Sequence, residues 1–165
     1  MDAPTTSVDL STRIDVWKKV VDVQMHFNDL CLRIRSFAVS ILGVLLGSAA
    51  VAHRFAGHIE LFSYKFPTAT LFIGISIVVW SAFYVMDRYW YHELLKGAVH
   101  HGLKIEENLS SDISEINLAN SIREQSHSSL HMNAAKKLHL FYLAILFVQL
   151  IAFFALMFNV VTVPS

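Results

Sequence analysis

An uncharged apolar run of 19 residues, Thr68 to Met86, constrains this 165-residue chain more than any other feature. A helix of about 20 residues crosses the hydrocarbon core of a bilayer, which is about 30 Å thick. Pro67 suits the start of such a helix. After Met86 the chain continues into a polar stretch without a Pro or turn cluster. The sequence therefore predicts one long helix whose second part, residues 87–108, projects into water.

Two further apolar stretches, residues 36–53 and 138–161, have similar character. The whole chain is 55% hydrophobic with a mean hydropathy of +0.49, which is too apolar for an ordinary soluble domain. We expect three membrane spans. Drawn in this way, the spans contain no charged side chain.

Lysine and arginine predict the orientation of the spans. The segments 1–35 and 87–137 contain eleven of these residues, and the remaining two lie in the loop 54–67. The eleven are Arg13, Lys18, Lys19, Arg33, Arg35, Arg88, Lys96, Lys104, Arg123, Lys136 and Lys137. Because basic segments stay in the cytoplasm, we expect a membrane protein with a cytoplasmic N-terminus and a C-terminus on the opposite side of the membrane, which is the periplasm in a bacterium.

The segments outside the spans follow from this orientation. We expect residues 1–35 to form a cytosolic amphipathic helix with a start signal at Thr12 and Asp15. Residues 54–67 form a periplasmic loop, residues 109–137 a cytosolic short helix and loop, and residues 162–165 a periplasmic tail. The short helix has a start signal at Asp112 and Glu115. The expected fold class is an all-α membrane protein with three transmembrane helices and a small helical cytosolic layer.

The N-terminal helix has apolar residues at alternating steps of four and three, which is the spacing of a packed seam. These residues are Val16, Val20, Val23, Phe27, Leu30 and Ile34. One interpretation is a helix that lies on the membrane or on a partner subunit. The other is a helix that packs on the cytosolic helices of the same chain.

Small residues with the same alternating steps run along the first span. They are Ser36, Ser40, Gly43, Gly47 and Ala50. Small side chains let helix backbones approach closely, which promotes association in lipid. We predict that this small-residue face is a helix-packing surface, either within one chain or between subunits.

Two polar residues in the spans, Gln149 and Ser40, are candidate pore-lining or intramembrane polar residues. Gln149 lies near the middle of the third span. It either lines a pore or makes a hydrogen bond between helices.

Basic residues at steps of four follow the second span, and they form a stripe. They are Arg88, His92, Lys96, His100 and Lys104. In an oligomer around an axis, this basic stripe would attract an anionic ligand such as a nucleotide or RNA. The alternatives are an ordinary solvated helix face and contact with anionic lipid headgroups.

Several functional classes are disfavoured. The single cysteine, Cys31, excludes an intrachain disulfide and a multi-cysteine zinc site. The sequence has neither a Gly-rich phosphate loop nor a serine nucleophile elbow. We therefore expect no enzymatic activity, no cofactor and no metal site. Arg88 and His92 loosely resemble the Arg-to-His spacing of HEPN ribonucleases but are one residue closer together, so a membrane-tethered HEPN-like ribonuclease is a remote alternative.

The run MDRYWYHELLKGAVHHGLKIEENL, directly after the second span, resembles the RipA-type family of small bacterial inner-membrane proteins. That resemblance implies a homo-oligomer, with eight copies in the family description. The overall plan also resembles the pore-forming membrane accessory protein of Cas13b CRISPR loci. That second resemblance implies a role in antiphage defence and an RNA-guided defence partner.

Two functional hypotheses follow. The first is a homo-oligomeric inner-membrane protein that forms a pore or acts as a permeability effector. The second is a non-conducting membrane scaffold or stress-response factor. The two differ in whether the protein depolarises cells.

The distribution of basic residues generates a first testable prediction. A reporter fused after Ser165 should be active in the periplasm, and the same reporter inserted near Ser111 should be active in the cytoplasm. The opposite pattern would contradict the three-span arrangement.

Overall fold

The computed structural model describes residues 9–61, 64–128, 132–158 and 161–162, which are mostly helical. Five α-helices form: α1 (Leu10–Phe55), α2 (Thr68–Met86), α3 (His92–Leu109), α4 (Leu118–Ser128) and α5 (Ala134–Met157). A π-helical turn, Asp87–Tyr91, joins α2 to α3 without a break. Three helical stretches, Leu10–Phe55, Thr68–Leu109 and Ala134–Met157, are long and apolar enough to cross a membrane. This confirms the predicted number of such helices.

Helix α1 differs from the prediction at its start and in its continuity. The expected amphipathic helix and first span are one helix of 46 residues, because no breaker separates Arg35 from Ser36. The helix begins at Leu10, so the start signal at Thr12 and Asp15 is wrong. Residues 1–8 of the predicted amphipathic helix lie outside the described residues.

The buried seam of α1 departs from the prediction at two of its six positions. The other four predicted residues are buried or half-buried: Val20, Phe27, Leu30 and Ile34. Val16 and Val23 are exposed, whereas Trp17 and Gln24 are half-buried and Cys31 is buried. The prediction counted apolar side chains only. The observed seam also includes polar groups that make hydrogen bonds to other helices.

The chain divides into two compact units. The first unit contains the chain up to Cys31 together with Trp90–Ala134. The second unit contains Leu32–Tyr89 and the chain from Ala135. Each unit has helices from both halves of the sequence.

In the second unit, the C-terminal part of α1 packs with α2 and α5. One buried cluster joins all three helices, and a second joins α1 to α2. The first consists of Ala38, Leu42, Trp80, Leu138 and Tyr142, and the second of Ala49, Ala52, Ala69 and Ile73. The Trp80 indole donates a hydrogen bond of 3.0 Å to the Tyr142 carbonyl oxygen. This bond satisfies the polar atom of the largest buried side chain.

A small sheet replaces the predicted loop 54–67. Gly57, with a φ of 67°, ends α1 in the left-handed conformation that glycine adopts without strain. Strands β1 (His58–Leu61) and β2 (Tyr64–Pro67) then pair antiparallel, and β3 (Val161–Thr162) pairs with β2. The all-α expectation therefore missed a hairpin.

The end of the third span also changes. Helix α5 begins at Ala134 and ends at Met157, and residues 161–162 form β3, so the predicted boundaries of the span (138–161) and of the tail (162–165) are wrong. Pairing with β2 supplies the backbone hydrogen bonds of this segment in place of further turns of α5. Residues 159–160 of the predicted span and residues 163–165 of the predicted tail lie outside the described residues.

In the first unit, the N-terminal part of α1 runs antiparallel to α3. The Gln24 amide donates to the Ala98 carbonyl oxygen at 3.2 Å, and the Trp17 indole donates to Glu106 at 3.2 Å. Arg13 forms an ion pair with Asp112 at 2.6 Å. For the N-terminal helix, these contacts favour the interpretation of packing within the same chain.

Helix α4 is capped by a residue from another helix. Both carboxylate oxygens of Glu106 accept the Ala119 backbone N–H, each at 3.0 Å. Glu106 is buried, and its negative charge lies at the positive N-terminus of α4. The predicted start signal at Asp112 and Glu115 is therefore wrong, because α4 begins at Leu118 and uses a distant carboxylate.

The contact between α1 and α3 generates a second prediction. A Cβ at Gly102 would collide with the Gln24 amide nitrogen, whereas one at Gly97 meets no described atom within 4 Å. Alanine at either position gains about 1 kcal/mol of helix propensity. Gly102→Ala should lose this gain, because Gln24 must give up a hydrogen bond worth about 1 kcal/mol.

Thermal unfolding in detergent would measure this difference. We expect Gly97→Ala to raise the free energy of unfolding by about 1 kcal/mol and Gly102→Ala to leave it nearly unchanged. Equal stabilisation by both substitutions would contradict the contact.

Candidate functional site

The most unusual side chain in the second unit is Asp87, which is 0% exposed. It continues the buried face of α2, which contains Ile73, Ser76 and Trp80. These residues recur at the helical period of about 3.6 residues. The end of an apolar helix therefore points a carboxylate into the packed interior.

Two other helices supply partners for this carboxylate. From α1, Arg35 donates to the two oxygens of Asp87, with Nε at 2.7 Å and a terminal nitrogen at 3.2 Å. From α5, the Tyr142 hydroxyl donates at 3.1 Å. The planar guanidinium suits a carboxylate in this two-bond geometry. The Arg35–Asp87–Tyr142 network thus joins all three helices of the second unit.

Aromatic groups surround this network. The rings of Trp80 and Tyr142 lie 4.9 Å apart between centroids. The Tyr84 hydroxyl and His139 Nδ1 form a hydrogen bond of 2.7 Å. These rings pack on one another around Tyr142. The apolar surroundings of the fully buried Asp87 strengthen its attraction to Arg35, whose side chain is 30% exposed.

The π-helical turn begins at Asp87 itself. The backbone N–H of Asp87 is shared between the carbonyl oxygens of Phe83 and Tyr84. A π-helical turn widens the helix locally and changes the angular phase of the residues that follow. Such turns are frequent at functional positions, and here the turn coincides with the buried ion pair.

The predicted basic stripe divides between His92 and Lys96. His92 is buried and Arg88 is half-buried, whereas Lys96, His100 and Lys104 are exposed. Each step of four advances about 40° around an α-helix, so the stripe leaves the buried face within α3. Lys96 also forms an exposed ion pair with Glu93 at 3.2 Å. The exposed surface available to an anion is therefore shorter than the sequence predicted.

The small-residue face of α1 is entirely exposed. Ser36, Ser40, Gly43, Gly47 and Ala50 all lie on the side of the helix opposite its buried residues. A Cβ at Gly43 or Gly47 would meet no described atom within 4 Å. The prediction left two alternatives for this face, packing within one chain and packing between subunits. Within the described part of the chain, no other helix packs on it.

Gln149 lies inside the second unit. It is 2% exposed, and neither its amide nitrogen nor its amide oxygen has a hydrogen-bond partner in the part of the chain that the structure describes. A residue that lines a pore between subunits would be exposed on a single chain, so Gln149 does not fit that role. Ser40 is exposed, and its hydroxyl donates to the Ser36 carbonyl oxygen at 2.9 Å.

The described residues contain no group of three His, Cys, Asp or Glu side chains that could hold a metal ion. The remote ribonuclease pair is also poorly placed, because His92 is buried. Two sets of polar side chains in the second unit bond to each other across helices, namely Arg35–Asp87–Tyr142 and Tyr84–His139. This arrangement suits the fixing of helix positions.

Sequence reasoning missed the Arg35–Asp87–Tyr142 network. One signal was available, since Asp87 falls on the same helical face as Ile73 and Trp80. Local sequence patterns could not predict the partners of Asp87, because they lie 52 and 55 residues away in the chain. Arg35 entered the charge count for orientation only.

Comparison with known proteins assigns no family to this chain. Models of protein families, curated proteins and solved structures all give no match. Function is therefore argued from the faces and contacts of the chain itself.

The network generates a third prediction. Asp87→Ala should lower the free energy of unfolding by about 3 kcal/mol, the low end for a buried pair, because Arg35 is 30% exposed and keeps part of its contact with water. Tyr142→Phe should cost about 1.5–3 kcal/mol, since it removes one hydrogen bond to a charged acceptor. Thermal unfolding in detergent measures both values.

Asp15→Ala is the matched control, because Asp15 forms an exposed ion pair with Lys18 at 3.3 Å. Exposed pairs contribute about 0–1 kcal/mol. A loss as small for Asp87→Ala as for Asp15→Ala would contradict the role of the network.

Proposed function

We propose that this chain is a subunit of a homo-oligomeric assembly in the bacterial inner membrane that makes the membrane permeable. The observation that carries the proposal is the exposure of the whole small-residue face of α1, from Ser36 to Ala50. Its two glycines have no close described neighbour outside their own helix. Glycine within a helix is destabilising by about 0.5–1 kcal/mol relative to alanine. Close packing of another copy against these glycines would offset this cost.

The apolar helices support the same proposal. In the most apolar 18-residue window of each, only 22%, 28% and 11% of the residues are buried. A water-soluble monomer rarely exposes apolar surface on this scale. Lipid and neighbouring copies are the surroundings that match it.

The proposal for permeability rests on the composition of the exposed faces. A path between copies would be lined by Ser, Gly and apolar side chains, because the spans themselves contain no charged side chain and Arg35 pairs internally with Asp87. A constriction of this kind gates by losing its water rather than by moving a charge.

An anionic partner is part of the proposal. The exposed residues of the basic stripe on α3 would attract this partner electrostatically; they are Lys96, His100 and Lys104. The RipA-type and CRISPR accessory resemblances suggest an octamer and an RNA-guided defence partner. These assignments, with the orientation of the termini, belong to the proposal.

Replacement of a central glycine tests the proposal. Gly47→Leu fills the small-residue face. It should abolish depolarisation of cells that express the protein, and it should reduce the size of the particle in detergent relative to the wild type. Gly97→Leu is the matched control, because it makes the same change in α3 where a Cβ meets no described atom. A potential-sensitive dye and the particle size are the two measurements.

Two outcomes would contradict the proposal. If Gly47→Leu depolarises cells as the wild type does, the small-residue face has no role in permeability. If the wild type never depolarises cells, including during phage challenge, the chain is a non-conducting scaffold, which is the alternative function.

A further inference from the structure

The outward face of α2 has the same spacing as the small-residue face of α1. Its exposed residues are Leu71, Ile75, Val78, Ala82 and Val85, at steps of four and three. We infer that the small-residue face of one copy packs on this α2 ridge of the next copy. This inference rests on the proposed homo-oligomer and identifies its interface.

The contacts within the second unit set the level of each residue along the two helices. Ala49 and Ala52 cluster with Ala69 and Ile73 at one end. Ala38 and Leu42 cluster with Trp80 towards the other end. The helices are therefore antiparallel, and each step along α1 matches one step back along α2.

This register places the two faces level with each other. Extending it pairs Ser36 with Val85, Ser40 with Ala82, Gly43 with Val78, Gly47 with Ile75, and Ala50 with Leu71. When all copies have the same orientation in a membrane, equivalent residues of each copy lie at the same depth in the bilayer. The small-residue face of one copy thus meets the α2 ridge of its neighbour without a vertical shift.

The paired residues are complementary in size. The two glycines lie level with Ile75 and Val78, two of the three β-branched residues of the ridge. Ile75 is 42% exposed and Val78 is 68% exposed, so both project from the single chain. A glycine opposite a bulky side chain lets two helices approach closely, which is the main source of helix association in lipid.

A buried hydroxyl favours the α2 face over other outward faces. Thr70 is 6% exposed, and its hydroxyl has no hydrogen-bond partner within the described ranges. It lines a groove of about 510 Å³ together with Leu71, Gly74, Ile75 and Val78. An orphan hydroxyl in an apolar setting costs free energy that only a hydrogen bond offsets, so a neighbour that brings a backbone acceptor into this groove can stabilise it.

Helix α5 offers a competing surface without this feature. Its outward groove is lined by apolar side chains alone, including Phe147, Ile151 and Phe154. Lipid acyl chains can cover such an apolar surface without leaving any polar group unpaired. The α2 groove is therefore the surface that a single chain leaves incomplete.

The interface joins two different faces and is therefore heterologous. Each copy presents one small-residue face and one α2 ridge, so every copy contacts two neighbours. Interfaces of this type build closed rings when the rotation between copies closes. A symmetric contact of two small-residue faces would instead stop at a dimer.

Cysteine cross-linking in intact membranes tests the inference. Two differently tagged chains, both carrying Cys31→Ala, are expressed together, with one new cysteine in each. The matched pairs are Ser36→Cys with Val85→Cys and Ala50→Cys with Leu71→Cys. Oxidation should join the two tags in both matched pairs.

The same four cysteines provide the control when their partners are exchanged. Ser36→Cys with Leu71→Cys, and Ala50→Cys with Val85→Cys, are offset by 14 residues, which is about 21 Å of helix. We expect severalfold less cross-linking in the exchanged pairs. The particle size of each variant shows that the oligomer is retained.

Other results overturn the inference in distinct ways. Preferential joining of two Ala50→Cys chains indicates a symmetric α1 contact, and joining of Ala50→Cys to Phe154→Cys indicates the α5 surface. An oligomer without cross-links in the matched pairs rejects the α2 interface but keeps the proposed function. A monomeric wild-type particle rejects both.

Discussion

The second unit depends on the pairing of one buried charge. A carboxylate removed from water is strongly destabilising unless it is paired and hydrogen-bonded, and Asp87 is removed completely. Arg35 and Tyr142 meet this requirement from two other helices. Rotation of α1 by one residue would move Arg35 by about 100° around the helix and leave Asp87 without its ion-pair partner. The network therefore fixes the rotation of all three helices more tightly than apolar packing does.

A second buried carboxylate has the same role in the first unit. Glu106 accepts hydrogen bonds from Trp17 of α1 and from the start of α4. Both carboxylates belong to the continuous helical stretch Thr68–Leu109. Each unit is thus organised by an acidic residue that this stretch points into its interior. The partners of the two carboxylates differ, since Asp87 pairs with the guanidinium of Arg35 and Glu106 caps the N-terminus of α4.

The internal use of polar groups determines what remains outside. With Arg35 and Asp87 paired within the second unit, the outward faces of its three helices consist largely of small and apolar residues. Apolar groups gain nothing from leaving lipid, so contacts between such faces depend on shape. The glycines of α1 and the β-branched ridge of α2 supply that shape. Assembly and internal packing therefore use different faces of the same helices.

The sequence by itself determined the three apolar helices and the small-residue face, because both depend on local length and periodicity. It could also place Asp87 on the buried face of α2. The tertiary structure alone decided the partners of Asp87, the cap of α4 by Glu106 and the hairpin that replaces the loop. It also decided the α1 seam, where Trp17 and Gln24 take the place of Val16 and Val23. Periodicity identifies a face on one helix, but the groups that meet that face come from distant parts of the chain. Only their packing in three dimensions brings them within bonding distance.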